Sequence, residues 1–407
     1  MPKLAINGGT PVRTTAFPKW PVWNQEEIDA VTEVIKSGKW GSLHGDKTST
    51  FEKTYAEAHN ARHGIAISSG TTALHIALMA AGVGNGDEVI VPAYTFIASA
   101  SAVVEASGIP VFVDIDPETY NIDVNKIETA ITPRTRAIMP VHFGGRPADL
   151  DRVLEIARKH QLVVIEDAAQ AWGSQWKGRG VGAIGTAGCF SFQSSKNITA
   201  GEGGIILTND DEVAKMIRAH YNCGRSAEGQ WYEHFYFGSN LRMTELQSAV
   251  LQVQFRRYPE LMARRQKNAA YLTQLLKEID GVGLLKEDPR ITRNSIHLFI
   301  WRYDQSAFNN WPKARFLDAM RAEGIQSSPG YTLPLNVQPV FKNQSFGPAG
   351  RRIDLGIDYG SQVFPETEKA CAEEAIWFNQ NQFLGTEQDM DDIAAAIKKI
   401  QHYADEA

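Results

Sequence analysis

The sequence has few cysteines and no strong bias of charge. Its three cysteines, Cys189, Cys223 and Cys371, stand far apart and no CxxC occurs. That excludes a disulfide framework and a cysteine-rich zinc site, and no metal site is expected. The 41 basic residues face 47 acidic ones, a net charge of −6. Such a balance lacks the basic signature of a nucleic-acid binder. No run of 18 apolar residues occurs, and the N-terminal MPKLAINGGTPVR has no apolar signal core. A membrane span is therefore not expected, and the location is read as cytoplasmic. Internal repeats and low-complexity segments are lacking too. What remains is ordinary globular material: 407 residues, 43% hydrophobic and 22% charged, long enough for two or three domains with a large core.

The chain opens with an arm of about forty residues. Asn24 is placed to cap a helix from Gln25 to about Ser37, and Glu26 and Glu27 suit the positive end of its dipole. From about residue 63, short apolar runs alternate with helical stretches: GIAIS (64–68), EVIVP (88–92), PVFVD (110–114), RAIMPVH (136–142) and LVVIED (162–167). That rhythm predicts an α/β fold with a mostly parallel sheet covered on both faces. GCFSFQ (188–193) and GGIILTN (203–209) are separated by only a loop and are expected to pair directly. Helices are expected over 243–258 and again from Pro259 to about Glu278, since proline is tolerated at a helix start. Beyond about 282 the pattern fits a small α+β domain, with a strand at 296–304, a helix at 312–324 and closing helices from about Glu366 and Thr386. The expected division is 1–270 for the arm and large domain and 271–407 for the small C-terminal domain.

Ligands of parallel sheets sit at the carboxyl ends of the strands. Three strand ends carry chemistry here. Ser69-Gly70-Thr71-Thr72 opens a helix, where free N–H groups favour a phosphate. Asp167 ends an apolar strand and needs a donating or positive partner if buried. Lys196 follows Ser191-Phe192-Gln193-Ser194-Ser195 in a loop of small residues, where desolvation would make it a nucleophile. Taken singly, these are a plain helix cap, a structural hydrogen bond and a solvated lysine. Together they match the requirements of one cofactor, pyridoxal 5'-phosphate: an anion site, a carboxylate beside the pyridine nitrogen, and a lysine for the Schiff base. The glycines of NITAGEGG (197–204) lack the GxxxxGK[ST] order of a P-loop.

These residues carry a resemblance. The chain is similar to the DegT/StrS-type sugar and cyclitol aminotransferases, fold-type-I enzymes dependent on pyridoxal phosphate. It is most similar in SSGTTALHIAL (68–78), VPAYTFIASA (91–100), VIEDAAQAWGS (164–174), CFSFQSSKNITAGEGG (189–204) and GSNLRMTELQSAV (238–250). The resemblance implies that Lys196 is the catalytic Schiff-base lysine and Asp167 the partner of the pyridine nitrogen. Gln170 and Phe96 would flank the ring. Gly70, Thr71, Thr72 and Ser191 would cradle the phosphate, and Asn240 would reach the phosphate of a neighbouring subunit, implying a homodimer with shared sites. One branch of the family carries histidine in place of the lysine and performs dehydration, which Lys196 argues against.

The acceptor is less defined. YTLPLNVQPVF (331–341), PETEKACAEEAIWFNQNQFLG (365–385) and the opening LAINGGTPVRTTAFPKWPVW resemble the ketocyclitol branch, with glutamine:scyllo-inosose aminotransferases nearest. His142, Arg225, His297 and Tyr331 are the candidate substrate contacts. The expectation is amino transfer from L-glutamine or L-glutamate onto a ketocyclitol or ketosugar. The alternatives are a nucleotide-linked ketosugar as acceptor, a lyase or dehydratase on this fold, and a non-catalytic regulatory protein. The aromatics Trp231, Tyr232, Phe235, Tyr236 and Phe237 are read as interface packing.

Overall fold

The computed structural model describes residues 3–404. Its main sheet is built from β1 (His63–Ile67), β2 (Glu88–Pro92), β3 (Ile109–Val113), β4 (Thr135–Ile138) and β5 (Val163–Asp167). The short β6 (Gln175–Trp176) and β7 (Arg179–Gly180) form a side hairpin before β8 (Ala187–Ser191) and β9 (Gly204–Thr208) return to that sheet. The order is β1-β9-β8-β5-β4-β2-β3. β8 and β9 pair directly and antiparallel, as the short loop between them requires. β9 alone runs against the other six strands.

Strand residues alternate between two buried faces. Ile65, Val89, Val91, Ile165 and Cys189 pack under the helices Gly70–Ala80, Ala98–Glu105 and Asp211–Tyr221. Ala66, Phe190 and Leu207 face the helices Lys47–Ala58 and Glu245–Lys277, while Ile90, Ile138 and Val164 face Leu150–His160. Burial on both sides is why these strands are continuously apolar in sequence. The helix Lys47–Ala58, which the sequence pattern did not separate from the arm, belongs to this layer.

Two expectations need correction. Pro259 does not start a second helix; it lies inside one continuous helix, Glu245–Lys277. Thr244 caps that helix by accepting from Gln247 N–H. The division expected at 270 therefore falls within a single element. The segment after Glu366 is also not one helix. A short turn of helix, Pro365–Lys369, ends in a wide turn at Ala370–Glu374, and Ala375–Asn379 is a strand.

That strand completes a second sheet. After β10 (Val282–Leu284), β11 (Ile291–Arg293) joins the β6–β7 hairpin. β12 (Leu298–Tyr303) and β13 (Ala375–Asn379) pair antiparallel, in the order β10-β12-β13. Trp301, Phe316, Phe378 and Ile397 centre a core between this sheet and the helices Lys313–Ala322 and Glu387–Tyr403. Leu4, Val12 and Phe17 of the arm pack into the same core. Arg13 ties the arm down through Asp389 and Asp392, at 2.5 and 2.8 Å. The arm grouped above with the large domain is thus in contact with the small one.

Candidate active site

The carboxyl ends of β1, β2, β5 and β8 open into one cavity of about 620 Å³, whose far wall comes from β12, β13 and the loop near Tyr331. Gly70, Thr71, Phe96, Asp167, Gln170, Ser191 and Lys196 all line it, as do His297 and Tyr331.

The helix Gly70–Ala80 starts at the cavity. Ser69 and Thr72 close its capping box, each side chain accepting the other's backbone N–H, both at 3.1 Å. The Thr72 hydroxyl is consumed there, so Thr72 shapes the turn rather than facing the cavity, which corrects its place in the expected cradle. Gly70 and Thr71 keep N–H groups without intrahelical acceptors. A Cβ at Gly70 would stand 2.7 Å from Ser191 Cβ, so only glycine lets β8 approach this helix end. The result is a small concavity rimmed by two N–H groups and the Ser191 hydroxyl, suited to a phosphate.

Asp167 is buried at the end of β5. Ser99 Oγ donates to its Oδ2 at 2.7 Å, and Ala169 N–H donates to its Oδ1 at 3.1 Å. Burial pushes its carboxyl above the ordinary range, against these two donors and the charge of Lys196. A second cation would complete its environment, and a pyridinium N–H is such a group. The ammonium of Lys196 lies 5.9 Å from the centroid of the Trp172 ring. Desolvation brings its pKa down from 10.5 to about 8, with Asp167 opposing that fall. The lysine is thereby readied as a nucleophile near neutral pH. Gln170 is fixed by Gly144 N–H, which donates to its Oε1 at 2.7 Å. Phe96 lines the cavity while 57% exposed. The cradle, the carboxylate and the amine fit pyridoxal phosphate in size and charge.

Two candidate substrate contacts do not line this cavity within one chain. Val141 lines the cavity, while the next residue, His142, beyond the end of β4, does not. His142 Nε2 meets Glu166 Oε2 at 2.9 Å, and its Nδ1 accepts from Ala148 N–H at 3.1 Å. The imidazole is fully buried and fully used. Arg225 lies outside this cavity, with its guanidinium 5.7 Å from the Trp231 ring. His297 and Tyr331 remain. Asn197 Oδ1 lies 2.9 Å from His297 Nδ1, and burial first, then the charges of Lys196 and Arg265, keep that ring neutral. Tyr331 packs edge-on to Trp377 and Tyr94. Asn240 is exposed and lies outside the cavity, in a segment where Trp231, Tyr232, Phe235 and Phe237 are exposed too, the last at 97%.

Sequence reasoning missed Trp20, Ser99, Trp377 and Gln380. Ser99 was within reach, because it lies one helical turn after Phe96. The others come to the cavity only through tertiary packing. Among the described residues, no cluster of three or more His, Cys, Asp or Glu is placed to hold a metal ion, and no helix is long and apolar enough to cross a membrane.

Comparison with known proteins agrees with this geometry. The family model of the DegT/DnrJ/EryC1/StrS aminotransferases matches residues 21–354. An L-glutamine:2-deoxy-scyllo-inosose aminotransferase of Streptoalloteichus tenebrarius is 37% identical over 98% of this chain and 97% of that protein. A protein of Geobacillus stearothermophilus named a pleiotropic regulatory protein is 39% identical over 93% of this chain and 95% of its own length. The crystal structure of 3-amino-5-hydroxybenzoic acid synthase superposes with a TM-score of 0.85 at 32% identity, covering 98% of this chain and all of that one. The fold is that of the fold-type-I aminotransferases, and the chain belongs to the DegT/DnrJ/EryC1/StrS aminotransferase family.

Proposed function

We propose that this aminotransferase uses pyridoxal 5'-phosphate to move an amino group from L-glutamine, or L-glutamate, onto a ketocyclitol. The single observation that carries the cofactor is the joint placement of a desolvated Lys196, a buried Asp167 and the Gly70–Ser191 concavity in one cavity. The acceptor class rests on the full-length similarity to the scyllo-inosose aminotransferases. The location is proposed to be cytoplasmic.

Bound there, the cofactor would supply the electron sink that lets a donor's α-C–H bond break. Lys196 Nζ would hold its aldehyde carbon and, once released, accept the donor's α-proton. Asp167 would hold the proton on the pyridine nitrogen. Gly70 and Thr71 N–H and the Ser191 hydroxyl would bind the phosphate, with Phe96 and Gln170 flanking the ring. Trp172, beside the Lys196 amine, would limit water there. His297 and Tyr331 would contact the substrate. The division at 270 belongs to this proposal, with a cofactor-bearing part and a smaller α+β part that walls the cavity.

The proposal includes a homodimer. The exposed aromatics from Trp231 to Phe237 would be covered by a second copy, and Asn240 would reach that copy's phosphate. A non-catalytic role is disfavoured, because a regulator has no need of Lys196 and Asp167 in one cavity.

The test is the visible absorption spectrum of the protein reconstituted with pyridoxal phosphate. A band that L-glutamine converts, and that 2-deoxy-scyllo-inosose then restores, is the expected result. Absence of any cofactor band in reconstituted protein would overturn the proposal. Restoration only by nucleotide-linked ketosugars would move the acceptor to that class.

A further inference from the structure

An amino-acid donor brings a carboxylate into the cavity, and a buried carboxylate needs a positive or donating partner. Yet among the described residues no arginine lines the cavity, and its one lysine, Lys196, has a lowered pKa and would be taken up by the cofactor. His297 is held neutral by burial and by the neighbouring charges of Lys196 and Arg265.

A cation does stand just behind the wall. Arg265, on the long helix Glu245–Lys277, is fully buried. Its guanidinium lies 5.2 Å from the Trp20 ring centroid, and both of its bonded N–H groups go to Gln380. Among the described residues no carboxylate pairs with it, and its Nη1 has no partner. Burial lowers its pKa to about 10, opposed only by the Tyr258 hydroxyl. An uncompensated buried cation is costly, and an anion nearby would offset that cost.

Gln380 connects this cation to the cavity. It is 3% exposed and lines the cavity at the end of β13. Arg265 Nε donates to Gln380 Oε1 at 2.9 Å, and Nη2 donates to the same oxygen. A guanidinium has donors only, so the amide oxygen must face it. The amide NH2 is thereby turned away from Arg265. It donates to no other described residue, yet it is not sealed from contact, unlike Arg265 Nη1. The cation withdraws electron density through the amide and strengthens the free N–H donors.

We propose that Gln380, oriented and polarised by Arg265, binds the α-carboxylate of the amino donor. Gln380 is then a donor-specificity residue, and Arg265 is a positioning residue that never touches the substrate. The inference rests on the aminotransferase reading and deepens it.

The test compares L-glutamine with its α-carboxamide analogue, L-glutaminamide, which keeps the side-chain amide, in the donor half-reaction. Gln380→Leu removes the donor group, and Gln380→Glu places a negative oxygen in the cavity while keeping the contact with Arg265. The expected rise in the donor's apparent KM is about tenfold for Gln380→Leu and larger for Gln380→Glu. The preference for glutamine over the α-carboxamide should shrink in both variants, a double-mutant cycle between protein and substrate. The cofactor band without donor should stay as in the wild type. Equal losses for glutamine and its α-carboxamide would make the role structural and overturn the inference. An unchanged donor KM would overturn it too. If the wild-type protein itself responds to no donor, it is the aminotransferase reading that fails.

Discussion

Replacing Lys196 by methionine should stabilise the cofactor-free protein. The two side chains have similar length, but methionine carries no charge into the cavity. Desolvation lowers the lysine's pKa from 10.5 to about 8, and at about 1.4 kcal/mol per pH unit that is roughly 3 kcal/mol. Asp167 gains from the ammonium, and its carboxyl would rise further without it. Water in the cavity also screens part of the penalty, so the net gain is about 2 kcal/mol. The sign follows from proton linkage. Between pH 8 and 10.5 the unfolded chain holds a proton that the folded chain has released, so wild-type stability rises with pH through that window. Below about 8 the penalty is at its full value. Lys196→Met should therefore be more stable than wild type at pH 7, with the advantage fading towards pH 10. Urea unfolding of both cofactor-free proteins, followed by tryptophan fluorescence at several pH values, measures the difference, in which titrating groups not coupled to Lys196 cancel. A difference independent of pH, or one that grows as pH rises, would refute the desolvated amine.

Gly70→Ala should weaken cofactor affinity about tenfold or more, because its Cβ would collide with Ser191 at 2.7 Å; Ser191→Gly in the same chain should recover part of it, read by equilibrium dialysis of pyridoxal phosphate. Glu166→Gln should cost about 3 kcal/mol or more in urea unfolding, since the fully buried Glu166 accepts from His142 Nε2 and from Gly182, Ile184 and Gly185 N–H. Burial alone would raise the Glu166 carboxyl, but His142 and those N–H groups bring it below 4.5, so its contribution is full at neutral pH and is lost as pH falls below that value. Asn240→Ala should loosen the cofactor without changing monomer stability, and dilution below the dimer's dissociation constant should do the same to wild type; cofactor retention that ignores both changes would count against shared sites.

The sequence by itself determined what depends on neighbours along the chain. Apolar runs broken by amphipathic helices specified a two-sided sheet, because each strand buries both of its faces. Asn24 and Ser69 announced helix starts through side chains that reach only a few residues ahead. Gly70, Asp167 and Lys196 could be grouped from the chain order alone, since each stands at or just beyond a strand end and parallel strands end on one side. Tertiary structure decided which way a side chain points and what lies behind it. Val141 and His142 are adjacent, yet one lines the cavity and the other meets Glu166, because the chain has left β4 and turns there into Phe143–Gly145. Pro259 looked like a boundary, but packing of the long helix against both cores carries it through. Ala375–Asn379 followed a helical pattern and became a strand because β12 offered it an edge. Arg265 and Gln380 lie 115 positions apart, and nothing local signals that one orients the other. Only the fold brings a buried cation and a cavity-facing amide into contact.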